Sequence, residues 1–324
     1  MNSLQRRALL FAVVCAFLQS APVAAQSYPA KTIRLVVPGA TGGSPDIIAR
    51  ILAPALGEAL GQGIIIDNVA GAAGIIGTDK VAKALPDGYT LLYGFNQIAT
   101  MNPSLYANLP YQPERDLAPI GQVLNLSYAL IASSTFRAKN LTELIALSKA
   151  KPGSVSYAST GGGSAAHLGV IMIEQAAGIE MLHVPYKASS VANTDVIGGV
   201  VDIRLDAIAA SLTLVKGGKL KALAVTTSQR SPALPNVPTV AETLPGFELT
   251  GWHGIWAPAQ TSPAIIQKVN VALLAVLSRP EIRAQITALA FEPAGSTPEQ
   301  MTERIRRETR QWASIVKAAK ITPQ

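Results

Sequence analysis

The sequence predicts an α/β protein of two domains, each a parallel sheet covered by helices on both faces. Three observations carry this reading. The chain's 324 residues give room for about two domains of ordinary size. From Lys31 onward, short β-branched runs alternate with longer stretches of helical periodicity, the pattern of βαβ units. The turns that lead from strand to helix are built from small residues. A composition 49% hydrophobic and 15% charged, with mean hydropathy +0.30, excludes a disordered chain. The 26 Gly and 22 Pro show no period, which excludes collagen-like chains.

The first 25 residues read as a secretory leader. Arg6 and Arg7 precede the apolar run 8–18, and Ala21-Pro22-Val23-Ala24-Ala25 supplies small residues for cleavage after about Ala25. Eleven apolar residues are too few to cross about 30 Å of hydrocarbon. Arg6-Arg7 fits a twin-arginine signal only loosely, so the export route stays open. Cys15, the only cysteine, leaves with the leader, and Val14 before it is not the small residue a lipoprotein site would carry. The mature chain then has no thiol for a disulfide or a thiolate metal site.

The elements follow in order. Residues 33–37 are a strand, and 45–60 a helix with Ile47, Ile48, Ile51, Leu52, Ala55 and Leu56 on one side. Residues 64–66 are a strand, 78–85 a helix and 89–93 a strand, followed by a loop rich in Asn and Pro over 96–119. A second cycle has strands at 123–131, 154–158, 181–184, 201–205 and 220–225, with helices at 141–149, 165–177, 193–198 and 212–216. Four prolines between 228 and 245 mark a crossing, and helices follow at 263–277 and 298–317. The expected organisation is a domain of residues 125–227 inserted between 26–124 and 228–324, which together form the other. In the last helix Met301, Ile305, Trp312, Ile315 and Val316 make an apolar face, which turns Arg304 to Arg310 toward solvent. Thr297 with Gln300 forms a capping box, and Glu303 with Arg307 an i,i+4 pair.

Four strand-to-helix turns are candidates for chemistry: Pro38 to Ser44, Asn68 to Gly74, Ser159 to Ser164, and Val184 to Ser190. In a doubly wound sheet they lie at the carboxyl ends of the strands, where ligands bind. Glycine lets backbone approach an anion, and helix N-termini direct N–H groups at it. Nucleotide motifs fail on spacing, and His167, His183 and His253 have no partner at metal-ligand spacing. Lys and Arg are dispersed and aromatics are 5%, which argues against nucleic acid. An α/β-hydrolase reading takes Ser164, Asp206 and His253 in that family's order, but G-G-S-A-A lacks the final glycine of a nucleophile elbow.

The order Val37-Pro38…Gly42-Gly43…Asp46-Ile47-Ile48-Ala49-Arg50, Pro86-Asp87-Gly88-Tyr89, Val184-Pro185-Tyr186-Lys187, Gly199-Val200-Val201-Asp202, Pro235-Asn236-Val237-Pro238-Thr239 and Gly295-Ser296-Thr297-Pro298-Glu299 resembles the Bug/TctC family. These are the extracytoplasmic solute receptors of tripartite tricarboxylate transporters. The resemblance implies a type II periplasmic binding protein, two doubly wound lobes around a ligand cleft. It further implies a periplasmic monomer that binds a small organic carboxylate, delivers it to inner-membrane permease subunits, uses no cofactor and catalyses nothing. An orphan receptor or sensor for a neutral or aromatic ligand is the alternative.

By position the first lobe's ligand residues are Thr41, Gly42, Gly43, Ser44 and Asp46, with Gly71, Ala72 and Ala73. The second lobe's are Thr160, Gly161, Gly162, Gly163, Ser164 and His167, then Tyr186, Lys187, Ala188 and Ser189, and Asp206 at a strand end. Gly39, Ala70, Ala188, Leu205 and Ala207 depart from the family pattern, which bears on ligand identity. Arg204 stands where the family usually has an apolar residue. Either it reaches the cleft and holds a second carboxylate, or it pairs with Asp202 or Asp206, or it lies exposed at the strand's end.

Overall fold

The computed structural model describes residues 28–186, 188–319 and 321–323. The leader, Cys15 and Lys187 lie outside the described residues, and so do the expectations placed on them. The first unit is β1 (Ile33–Val37), α1 (Ser44–Leu60), β2 (Ile64–Asn68), α2 (Ile75–Ala82) and β3 (Thr90–Phe95). Both β2 and β3 run parallel to β1, and the register sets Val37 beside Asn68. That register brings the turn after β1 next to the turn after β2.

Short helices α3 (Asn102–Leu105) and α4 (Pro113–Asp116) lead into β4 (Leu117–Ser133), a strand of 17 residues. The second unit is α5 (Leu141–Ala150), β5 (Ser156–Ser159), α6 (Ala165–Ala177), β6 (Leu182–Pro185), α7 (Ser189–Ile197), β7 (Ile203–Ala207), α8 (Ile208–Lys216) and β8 (Leu220–Val225). Here β6 and β7 flank β5 in parallel, and Ser159 pairs with Pro185. The glycine turn after β5 therefore lies beside the turn after β6. The chain ends with β9 (Thr250–Pro258), α9 (Pro263–Ser278), α10 (Pro280–Ala288), β10 (Glu292–Pro293) and α11 (Pro298–Ala318).

All ten strands join one sheet, ordered β2-β1-β3-β9-β4-β7-β5-β6, with β8 and β10 also on β4. Its middle is antiparallel: β9 pairs with β3 and with residues 117–127 of β4, while residues 128–133 of β4 pair with β7 and β8. Parallel pairing thus holds only in the two outer parts. Strand direction left no mark on the sequence because β4 and β9 are buried on both faces and read as apolar runs.

Leu35, Ile48, Leu52, Leu91 and Leu273 belong to one core, and Tyr157, Leu168, Ile173, Ile203 and Leu205 to another. Helix α11 belongs to both halves. Its Met301 and Ile305 pack with Trp252 and Trp256, whereas Trp312, Ile315 and Val316 pack with Leu168 and Leu205. The predicted capping box of Thr297 and Gln300 and a proline in the first turn open the helix. Arg304 is not on a solvated face: its guanidinium donates to Gln122, Asn125, Thr250 and Glu308 and lies 5.2 Å from the Trp252 ring. Glu308 pairs with Arg304 and accepts Trp252 Nε1–H at 2.8 Å.

Other elements differ from the sequence reading. The Asn- and Pro-rich stretch is largely helical, with a π-helical turn at Gln97–Met101 whose Ile98, Ala99, Thr100 and Met101 are buried. Helices α7 and α8 each start four residues earlier than their apolar pattern, on Ser189 and Ile208. Helix α10 falls between the two helices expected at 263–277 and 298–317, and Pro280 occupies its first turn.

Candidate ligand cleft

The turn after β1 is held by a chain of hydrogen bonds that reaches the end of β2. Gly42, at φ +80°, donates its N–H to Asp46 Oδ2 at 2.8 Å, and Arg50 Nε donates to Asp46 Oδ1 at 2.9 Å. Arg50 Nη2 donates to Asn68 Oδ1, and Asn68 Nδ2 to the Gly39 carbonyl. Asp46 is only 2% exposed, and its bond from Arg50 holds the carboxyl below the usual range. Its oxygens are thus committed to shaping the turn, while Thr41 and Gly42 are exposed and Gly43 and Ser44 half-buried. In the neighbouring turn Gly71, Ala72 and Ala73 are exposed. Ala72 and Ala73 adopt left-handed backbone at φ +45° and +51°, a strain that clusters at binding sites.

In the other half the turn after β5 sits on a buried aromatic stack. Gly163 N–H donates to His167 Nδ1 at 3.1 Å, so Nδ1 carries a lone pair. The His167 ring stacks on His183 at 4.0 Å, and His183 on Tyr157 at 5.0 Å. His183 Nε2 lies 2.6 Å from Ser159 Oγ. Burial, with the neighbouring His183 adding, pushes His167 down to about 4, and burial lowers His183. Stacked rings turn faces rather than lone pairs to each other, and among the described residues no three potential metal ligands converge. Ser164 caps α6, its Oγ accepting from His167 N–H and donating to the Gly161 carbonyl. Thr160 and Gly162 are exposed, Gly161 is half-buried.

Beside this turn Tyr186 donates its hydroxyl to Asp195, and Ala188 and Ser189 are exposed at the start of α7. Arg204 is buried, with Nη2 3.1 Å from Asp206 Oδ1. Burial outweighs the pairing for both groups, lowering the arginine's affinity for its proton and raising the aspartate's.

A cavity of about 290 Å³ lies between the halves, with Ala73, Gln97, Leu105 and Tyr106 on one side and Thr160, Gly162, Gly163 and Ser164 on the other. Ile321 and Thr322 of the C-terminal segment close one wall. It unites the turns after β2 and β5; those after β1 and β6 lie outside its lining. Sequence reading missed Gln97, Leu105 and Tyr106, which fall in the stretch read as a loop, and Ile321 and Thr322, which follow the last helix. A larger opening of about 690 Å³ lies where Asn125 and Thr227 meet Arg304, Arg307 and Glu308, but none of the glycine turns reaches it.

Ser164, Asp206 and His253 do not assemble a triad. Ser164 is a helix cap, Asp206 faces Arg204 and Asn193, and His253 is buried in the first half with its Nδ1 3.2 Å from the Tyr93 hydroxyl.

The profile of the family described as "Tripartite tricarboxylate transporter family receptor" matches residues 48–321. BugT of Bordetella pertussis is 37% identical over 314 residues, covering 95% of this chain and 96% of its own. The structure of the periplasmic binding protein BugD superposes with a TM-score of 0.77 at 36% identity, covering 92% of this chain and 100% of BugD. R. palustris Rpa4515, solved with adipate, gives 0.81 at 32% identity, with 92% and 100% covered. MatC from Rhodopseudomonas palustris, with bound malate, gives 0.75 at 29%, with 89% and 100% covered. The architecture is the mixed α/β fold of periplasmic binding proteins, and the chain belongs to the tripartite tricarboxylate transporter receptor family, as a solute-binding receptor and not an enzyme.

Proposed function

We propose that the cleft captures a small organic carboxylate in the periplasm and hands it to membrane permease subunits. The observation that carries this reading is the cavity between the sheet halves, where backbone turns and the Thr160 hydroxyl face Ala73. Such a surface recognises an anion through oriented N–H and O–H donors. The relatives solved with adipate and malate support the ligand class. Leu105, Tyr106 and Ile321 in the walls favour a ligand with a carbon chain between its polar ends.

On this reading residues 1–25 are the export signal, and the protein works as a monomer. Residues 26–124 with 228–324 form one lobe and 125–227 the other. A ligand that touches both lobes favours the closed form by its differential affinity for it. Calorimetry with malate, adipate and a neutral diamide tests the class, and small-angle scattering tests closure. Tight binding of an acid with a smaller radius of gyration is expected. A protein that binds only the diamide is a receptor for neutral ligands instead.

A further inference from the structure

Helix α11, 21 residues long, is held at two places. In its first half Arg304 donates to Gln122 and Asn125 of β4 and to Thr250 of β9. Further along, Trp312, Ile315 and Val316 are buried in the core of the other half. Beyond the last turn the chain folds back on the helix. Ala319 N–H donates to the Ile315 carbonyl at 2.9 Å, and Ile321 N–H to the Val316 carbonyl at 3.1 Å. These bonds set Ile321 against the cluster that holds Leu105, Leu168 and Trp312, where it lines the cavity of about 290 Å³ between the halves.

Leu105, Tyr106 and Ile321 are the large apolar side chains of that wall. Leu105 is 6% exposed and sits over Gly163, where the absence of a Cβ lets it approach. Ile321 is half-buried while it lines the cavity, so apolar surface is left there for a ligand to cover. A methylene laid against such a surface is worth about fourfold in affinity. The space sets the opposite limit, because about 290 Å³ is at the small end of ligand sites, which run from about 300 to 1,000 Å³. A carbon chain that extends past Ile321 must displace it. Since α11 is tied to both halves, the segment that follows it is a wall and not a lid.

We propose that Ile321 is a specificity-determining residue, a fixed stop that limits the length of carbon chain between the two polar ends of a ligand. The contact comes from the segment after α11 and from none of the four glycine turns. The inference rests on the reading of this cavity as the ligand site and adds chain length to it, whatever the chemistry of the polar ends.

Calorimetric affinities of the full chain for succinate, adipate and suberate test it, with adipamide and suberamide as a neutral series. The parent is expected to bind adipate more tightly than suberate, which is two methylenes longer. Ile321→Ala should shift the suberate-to-adipate affinity ratio about tenfold toward suberate, and Ile321→Phe should shift preference from adipate toward succinate by a similar factor. Ile315→Ala is the control: Ile315 is buried in the same cluster but outside the cavity lining, so it should lower the melting temperature and leave the ratio unchanged. A parent that binds suberate as tightly as adipate overturns the stop. So do Ile321 variants whose ratios stay within about twofold of the parent, or move no more than that of Ile315→Ala, which leave Ile321 a packing residue. If only the diamides bind and Ile321→Ala shifts their ratio, the carboxylate reading falls and the stop stands. If neither series binds the parent, the proposal falls together with the cavity reading.

Discussion

His167 and His183 stack with ring centroids 4.0 Å apart, and the outer nitrogen of that pair, His167 Nδ1, accepts the Gly163 N–H of the glycine turn. Neutral His167 thus supplies one of the bonds that hold the turn, beside those of Ser159 and Ser164 to Gly161. Protonation at Nδ1 would remove the acceptor and set an imidazolium against a second ring.

Acid should consequently destabilise the protein across a defined window. His167 and the buried His253 are each lowered from 6.5 to about 4 by burial. Between those values the unfolded chain binds more protons than the folded one, so stability is complete above pH 6.5 and falls as pH drops toward 4. Melting temperatures from pH 7.5 to 4.5 check this. His167→Asn, which keeps an acceptor near Nδ1 without titrating, should flatten the fall; an unaltered profile would remove His167 from the cause.

Gly163→Ala should be costly at a position that a sequence reading treats as interchangeable with Gly162. Gly163 has φ +78°, and a Cβ there would lie 2.8 Å from Leu105 across the cavity. About 1–2 kcal/mol of lost stability is expected from the backbone alone. At Gly162 a Cβ meets nothing within 4 Å, so Gly162→Ala is the control in denaturant titration.

Asp46→Ala tests whether the turn after β1 is built by its side chain. Losing the charged acceptor of the Gly42 N–H should cost about 2 kcal/mol in urea unfolding. Affinity for adipate should fall as well, although the carboxylate is buried and turned away from solvent. Stability lost with affinity intact would show that the loop's shape is irrelevant to binding.

Arg304→Met should loosen the junction between the halves. The guanidinium holds Gln122 and Asn125 of β4, Thr250 of β9 and Glu308 of its own helix. About 2–3 kcal/mol is expected, with Glu308 left to Trp252 alone. Guanidinium titration measures it, and a loss under 0.5 kcal/mol, the size of ordinary surface substitutions, would return Arg304 to that class.

The outer parts of the fold were legible because their chemistry is local. Helix Ala165–Ala177 and strand Leu220–Val225 fall where periodicity put them, since Ser164 before the one and Lys219 before the other interrupt the pattern. The middle was not legible. Nothing near Trp252 announces that it pairs with Asn125, and nothing near Arg304 announces four acceptors drawn from three segments. At the site, Thr160 and Ala73 could be found from their turns, but Ile321 and Leu105 reach the cavity through tertiary packing alone. The family resemblance supplied the fold; which carboxylate or amide each side chain finds became visible only in three dimensions.

The pairing of β3 with β9 has a consequence for the order in which the molecule can be completed. Tyr93 meets Ile255 across a separation of some 160 residues, and the whole second unit is synthesised between them. A nascent chain thus carries β3 with an open edge until residues 250–258 are available, and only then can that sheet close over its neighbours. Long-range pairing of this kind is slow and leaves strand edges exposed to other chains. The half made first is the last to be finished, and during that interval it is the half that most needs protection from aggregation.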